Sequence, residues 1–210
     1  MGVARSVTQR MLKGSVLPAL ATVGGWLRLD RAFEGTWRFA RRKRIRMMRP
    51  MEIHEAERVF GSSIPFERVR IVEDSPLARR VAALSGQVHL EQDRPLAVTL
   101  FLTIHFTHRL SRDTSDMPWL AHELTHVWQY LQRGPRYLTD ALRAQAQHGK
   151  AAYDIAKGVA EGWPWDAFNA EQQGEIARGL YKALVKGDDV GPFLPYAEVL
   201  QGKRSVSRAA

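Results

Sequence analysis

The stretch WLAHELTHVWQYLQ, residues 119–132, decides how this chain is read. At about 100° per residue, Leu120, Leu124, Val127, Trp128 and Leu131 fall on one side of a helix and form a core-facing stripe. His122 and His126 lie one turn apart on the opposite side, and Glu123 falls between the two faces. Asp116 is placed as the N-cap with Pro118 inside the first turn, and RGP at 133–135 ends the helix. The expectation is a helix that buries one side and presents two imidazoles to a cleft on the other.

The pattern is His-Glu-x-x-His. One helical turn puts both imidazole nitrogens within reach of a single Zn²⁺. Glu123 follows the first histidine directly, so its carboxylate can serve as general base toward a water that the metal polarises. Zinc is the expected cofactor, with His122 and His126 as ligands and Glu123 as the catalytic group. A third histidine six residues after His126 would stand at 132, but that position is Gln132.

A third ligand must then come from elsewhere, and FNAEQQGEIARGLYKAL (168–184) offers two carboxylates. Asn169 caps a helix with Ile176, Leu180 and Leu184 on one side and Glu171 and Glu175 together on the other. Glu171 is the candidate third ligand. Glu175 is the candidate acceptor for the free ring N–H of a zinc-bound histidine. On spacing alone Asp140, His148, Asp154 and Glu161 remain open as ligands. Tyr130, Tyr137 and Tyr153 could stabilise an oxyanion; Tyr153 is singled out because it lies between the two candidate zinc-binding helices. His105 and His108 read as structural.

The 210 residues suit one domain plus an extension, and the absence of cysteine excludes disulfides and thiolate metal sites. The net charge of +9 is unevenly placed. Residues 1–50 carry 12 of the 31 Lys and Arg against only Asp30 and Glu34, leaving 19 basic and 20 acidic residues for the remaining 160. The basicity belongs to an N-terminal segment, and RFARRKRIRMMR (38–49) packs seven basic residues into it. That run suits contact with anionic lipid, nucleic acid or an acidic protein. The apolar SVLPALATVGGWLRL (15–29), interrupted by Pro18 and Gly24–Gly25, falls short of the ~20 residues of a membrane span.

Elsewhere, PMEIHEAERVF (50–60) reads as a helix ended by Gly61, FERVRIV (66–72) as a strand and SPLARRVAAL (75–84) as a helix. Residues 86–106 read as two strands joined at QDRP (92–95), the second running from Leu96 to Phe106. The chain divides into a basic segment 1–49, a body 50–187 and a tail 188–210 whose end is expected to be disordered.

MPWLAHELTHVWQYLQ, FNAEQQGEI and MRPMEIHEAERVFGSSIPFERVRI together resemble the compact gluzincin-type zinc metallopeptidase domains of bacterial toxins and secretion- or injection-system loci. The resemblance covers roughly Pro50 to Leu184. It implies zinc bound by His122, His126 and Glu171, with Glu123 as the base. It also implies an α+β, predominantly helical fold: a small zincin-like domain with a short antiparallel sheet packed on the active-site helix. The strand before that helix, Leu96–Phe106, would lie at the sheet edge and pair with an extended peptide or protein substrate. The alternative reading is a non-catalytic, zinc-stabilised docking module of a secretion or injection assembly. The expected location is the cytoplasm of the producing bacterium, with export through such a system.

Overall fold

The computed structural model describes residues 45–84 and 97–204. The basic run between Arg38 and Arg44, the apolar stretch 15–29, the first strand expected after Gly86 and the QDRP turn lie outside the described residues, as does the extreme C-terminus.

The described chain is α+β and mostly helical. In order it comprises β1 (Ile45–Met47), α1 (Pro50–Phe60), β2 (Arg70–Val72), α2 (Pro76–Leu84), β3 (Ala97–Leu100), β4 (Thr103–Phe106), α3 (Met117–Arg133), α4 (Arg136–His148), α5 (Ala156–Ala160), α6 (Ala170–Lys186) and α7 (Leu194–Leu200). The four strands form one sheet in the order β1-β2-β4-β3. Its outer pairs are antiparallel and its central pair, β2 with β4, is parallel. The sheet is thus mixed, because the chain passes through α2 between β2 and the hairpin and returns in the same direction.

The span Leu96–Phe106 is not one strand. It folds back at Phe101–Leu102 into a two-residue hairpin, with Leu100 opposite Thr103 and Ala97 opposite Phe106. Phe101 takes φ 58° there, a left-handed conformation that a residue with a Cβ adopts at a cost. The hydroxyl of Tyr137, from α4, offsets that cost. It donates to Thr99 O at 2.8 Å and accepts from Phe101 N–H at 2.9 Å, so one side chain holds the end of β3 and the first residue of the turn together. Similarly, FERVRIV opens with a 3₁₀ turn at Phe66–Arg68 and becomes strand only at Arg70.

Residues on both sides of the sequence-based boundaries join the body. Ile45–Met47 pair with β2, and Arg46 reaches Glu52 and Glu73. In the tail, Tyr196 and Leu200 of α7 are buried in the main core. That core is filled by Phe60 of α1, Ile71 and Ile104 of the sheet, Leu120, Leu124 and Trp128 of α3, and Ile176 and Leu180 of α6. Truncating one such leucine to alanine costs roughly 2–5 kcal/mol.

Helix α3 sits at the centre. Its stripe is buried as expected from Leu120 to Trp128, but Leu131 is 36% exposed because the helix runs past the core there. The opposite side is buried too, under α6, with which α3 makes its most extensive contact. Asp116 occupies the N-cap position, yet its side chain caps nothing. The chain arrives in the αR region, φ −89° and ψ −5°, and the carboxylate accepts Ser111 N–H at 2.6 Å instead. Asn169 caps α6 as expected, accepting from the N–H groups of Glu171 and Gln172 while Gln172 answers to Asn169 N–H.

Candidate metal centre

α3 and α6 pack antiparallel, so residues ascending one helix meet residues descending the other. Trp119 meets Arg178, His122 meets Glu175 and Glu171, and His126 meets Glu171. Two sequence-distant motifs are thereby brought onto one another.

Glu171 Oε2 lies 3.3 Å from His122 Nε2 and 3.7 Å from His126 Nε2. One ligand atom from each of the three residues falls within 4.8 Å of the others, and among the described residues this is the one such group of His, Asp and Glu. Atoms bound at about 2.0–2.1 Å in a tetrahedron are separated by about 3.3–3.4 Å, so these separations suit a zinc ion.

The outward ring nitrogens have their own partners. His126 Nδ1 donates to Gln129 Oε1 at 2.8 Å. The orientation of that amide is fixed from its other end, where Gln129 Nε2 donates to Ala170 O at 3.0 Å and to Gln173 Oε1 at 2.9 Å. His122 Nδ1 lies 3.2 Å from Glu175 Oε1, a close electrostatic contact. His126 thus carries a proton on Nδ1, and both rings turn Nε2 toward Glu171. Gln129 was not singled out from the sequence. Its signal is positional: it stands one turn after His126 and is fully buried.

Space for the rings is provided by Gly174. A Cβ there would lie 2.7–2.8 Å from three atoms of the His122 ring. Burial alone would lower the His122 pKa, but the facing carboxylates of Glu171 and Glu175 outweigh it and hold it up at about 10. Burial would raise Glu171, but His126 and His122 hold its carboxyl well below the usual carboxylate range. Four groups of this kind, confined between two helices, are chemically suited to a cation, and the donor set fits zinc.

Glu123 is outside the donor set. Thr99 of β3 donates its hydroxyl to Glu123 Oε2 at 2.7 Å, tying the carboxylate to the edge strand. The whole cluster is secluded: His122 is 4% exposed, Glu123 9%, His126 7% and Glu171 3%. The cleft expected beside the histidines is instead a helix–helix seam.

The remaining sequence candidates fall as follows. Tyr153 is half-buried with its ring 6.2 Å from that of His122. It is held near by Gln172 Nε2, which donates to Asp154 O at 2.6 Å. Tyr137 is spent on the hairpin, and Tyr130 stacks edge-on against Phe101 and Tyr137. Asp154 accepts Ala156 N–H and Glu161 accepts Trp163 Nε1–H, and neither they nor Asp140 joins the ligand group. The side chain of His148 lies outside the described residues. His105 is buried on β4 with Nδ1 3.1 Å from Ser75 Oγ, and His108 lies 3.9 Å from Asp116.

Residues 50–134 match the family described as the eCIS core domain, eCIS being the extracellular contractile injection system. The matched segment contains α1, the hairpin and α3 with His122, Glu123 and His126, and it stops short of Glu171. The chain is thereby associated with injection-system proteins, and the family's description names no peptidase activity. No curated protein and no solved structure matches the chain. Among the described residues, no helix is long and apolar enough to cross a membrane.

Proposed function

We propose that this chain is a zinc-binding protein of an injection-system assembly whose His122–His126–Glu171 centre hydrolyses peptide bonds, with Glu123 as general base. The observation that carries the reading is Glu123 itself. It is a carboxylate beside three convergent ligands, not one of them, and it is held in place by Thr99. A purely structural zinc site closes with four protein ligands and has no use for such a group.

His122, His126 and Glu171 would hold the metal. Zinc bound there would polarise a scissile carbonyl and lower the pKa of a water to about 7. Glu123, with one oxygen gripped by Thr99, has the other left to take up a proton and deliver it to the departing amine. Gln129 and Glu175 keep the two imidazoles in the tautomer that faces inward. Tyr153, whose ring lies 6.2 Å from that of His122, would stabilise a developing oxyanion. An extended substrate pairing with β3 must engage the strand near Ala97 or displace the Tyr137 hydroxyl from Thr99 O.

A second reading has its own support. The seclusion of the cluster and the family description both favour a zinc-stabilised docking module, and the family match speaks for it more directly than for catalysis. One experiment separates the two. Zinc content and cleavage of a denatured protein are compared between the wild type and Glu123→Gln. The peptidase reading expects unchanged zinc and loss of at least roughly 10²-fold in cleavage. Wild-type protein that holds zinc, cleaves nothing and unfolds on chelation would leave the docking module.

A further inference from the structure

We propose that Arg178, seated on Trp119, is a positioning residue of the metal centre that acts through Glu175 on His122. The guanidinium carbon of Arg178 lies 3.5 Å from the centroid of the Trp119 ring. Its Nη1 donates to both oxygens of Glu175, at 3.1 and 3.2 Å, and Glu175 Oε1 lies 3.2 Å from His122 Nδ1. The four residues form a ladder across the seam: Trp119 and His122 are one turn apart on α3, Glu175 and Arg178 one turn apart on α6.

The chemistry needs each rung. His122 can offer Nε2 to a metal only while its proton is on Nδ1, and a carboxylate at Nδ1 favours that tautomer. Glu175 is a flexible side chain at the edge of the seam. Nothing on its own helix other than Arg178 is shown to hold its oxygens toward His122 and away from water. Arginine suits this task where lysine would not. Its planar head lies against an aromatic face while its edge donates to a carboxylate, so stacking and pairing fix one orientation. The plain alternative is an i,i+3 ion pair on a helix surface, worth about 0–1 kcal/mol and without influence on the metal. Against it stand the low exposure of the two side chains, 15% and 14%, and the placement of the pair directly behind a ligand.

The test is a zinc competition titration against a chromophoric chelator on the full chain. It compares wild type, Arg178→Met, Arg178→Lys, Glu175→Gln and the Arg178→Met/Glu175→Gln double variant. Arg178→Met and Glu175→Gln should each weaken zinc binding by roughly 10–100-fold, as lost partners of metal-bound histidines do. The double variant should be no weaker than Glu175→Gln by more than about twofold, because Arg178 then has nothing to act through. Arg178→Lys should fall between wild type and Arg178→Met, and it carries the comparison if Arg178→Met does not fold. Losses that multiply in the double variant, or Arg178→Met binding zinc as wild type does, would overturn the proposal. It rests on the zinc reading of the site. A wild type that takes up no zinc removes both, whereas normal wild-type binding with an indifferent Arg178 removes this inference alone.

Discussion

Replacing Gly174 by alanine sets two effects against each other, and the structure says which wins. Alanine is favoured over glycine inside a helix by about 1 kcal/mol, so on α6 alone the change is stabilising. The added methyl, however, would lie 2.7 Å from His122 Cε1 and 2.8 Å from both ring nitrogens. Heavy atoms in comfortable contact sit about 3.5–4.0 Å apart, so the ring or the helix must give way by roughly 0.8 Å. Overpacking of this size costs about 1–3 kcal/mol, which leaves a net loss of stability of roughly 0–2 kcal/mol. The metal is far less tolerant, since ligand distances hold to within about 0.2 Å. Gly174→Ala should therefore bind zinc at least about 10²-fold more weakly while the metal-free protein melts only a few degrees lower. Chelator competition and metal-free thermal unfolding read the two quantities separately. If the variant keeps wild-type zinc affinity, the His122 ring is not seated against Gly174 and the proposed centre is misplaced.

Other perturbations follow from the same geometry. Glu171→Ala should abolish stoichiometric zinc, whereas Glu175→Ala should weaken it by only roughly 10–100-fold; the reverse order would make Glu175 the ligand. Thr99→Val should leave zinc content unchanged and slow hydrolysis by roughly 10–100-fold by freeing Glu123, and Thr99→Ser should restore the rate; equal rates in all three proteins would remove Thr99 from the mechanism. Burial lowers the His105 pKa from 6.5 to about 4. The folded state therefore binds this proton less readily than the unfolded chain, so the contribution is fully present above pH 6.5 and lost as the pH falls toward 4. It amounts to about 3 kcal/mol at most. Denaturant unfolding of the metal-free protein at pH 7.5 and 4.5 should show a smaller acid loss in His105→Gln than in wild type, and parallel losses would refute the assignment.

What the sequence revealed was whatever depended on one helix at a time. The stripe of α3, the i,i+4 histidines, the Asn169 cap and the shared face of Glu171 and Glu175 are all set by a local period. The meeting of the two helices is not local: two histidine nitrogens need a third donor, but spacing left Asp140, His148, Asp154 and Glu161 open beside Glu171, and only the family resemblance favoured Glu171. Where the reading went astray, a distant residue had taken over a local task. LAVTLFLTIHF carries no Gly, Asn or Pro to announce a turn, and the turn at Phe101 is secured by Tyr137, more than thirty residues further on. Asp116 looked like a cap but was drawn to Ser111 N–H. The face of α3 opposite its stripe read as the wall of a cleft because it is polar. It is buried against the polar face of α6, where Gln129 donates to Gln173 Oε1 and accepts from His126, while Gln173 Nε2 donates to Trp165 O and Phe168 O.

The N-terminal arginines divide in a way that charge counting alone could not show, and the division is testable. Arg46 forks onto both oxygens of Glu52, at 2.7 and 2.8 Å, and its Nε donates to Glu73 at 2.8 Å. Arg49 donates to Ser111 O at 2.6 Å, and its backbone N–H is received by Glu52. These two arginines belong to the fold, not to a surface that waits for an anionic partner. Residues 1–44 still hold ten basic residues against Asp30 and Glu34, so the charge available to such a partner lies there. A chain trimmed to 45–210 should accordingly keep its stability and zinc and lose any salt-sensitive binding to anionic vesicles or nucleic acid. Trimming to 50–210 removes five more residues and should behave quite differently. It strips β1 from β2 and takes both Arg46 and Arg49 away from Glu52, a carboxylate that is 2% exposed in the full chain. Removing one partner of such a pair costs about 3–5 kcal/mol, much of the 5–15 kcal/mol that typically holds a domain together. The shorter protein should melt far below the longer one. Identical melting of the two would mean that β1 and its arginines contribute nothing to the fold.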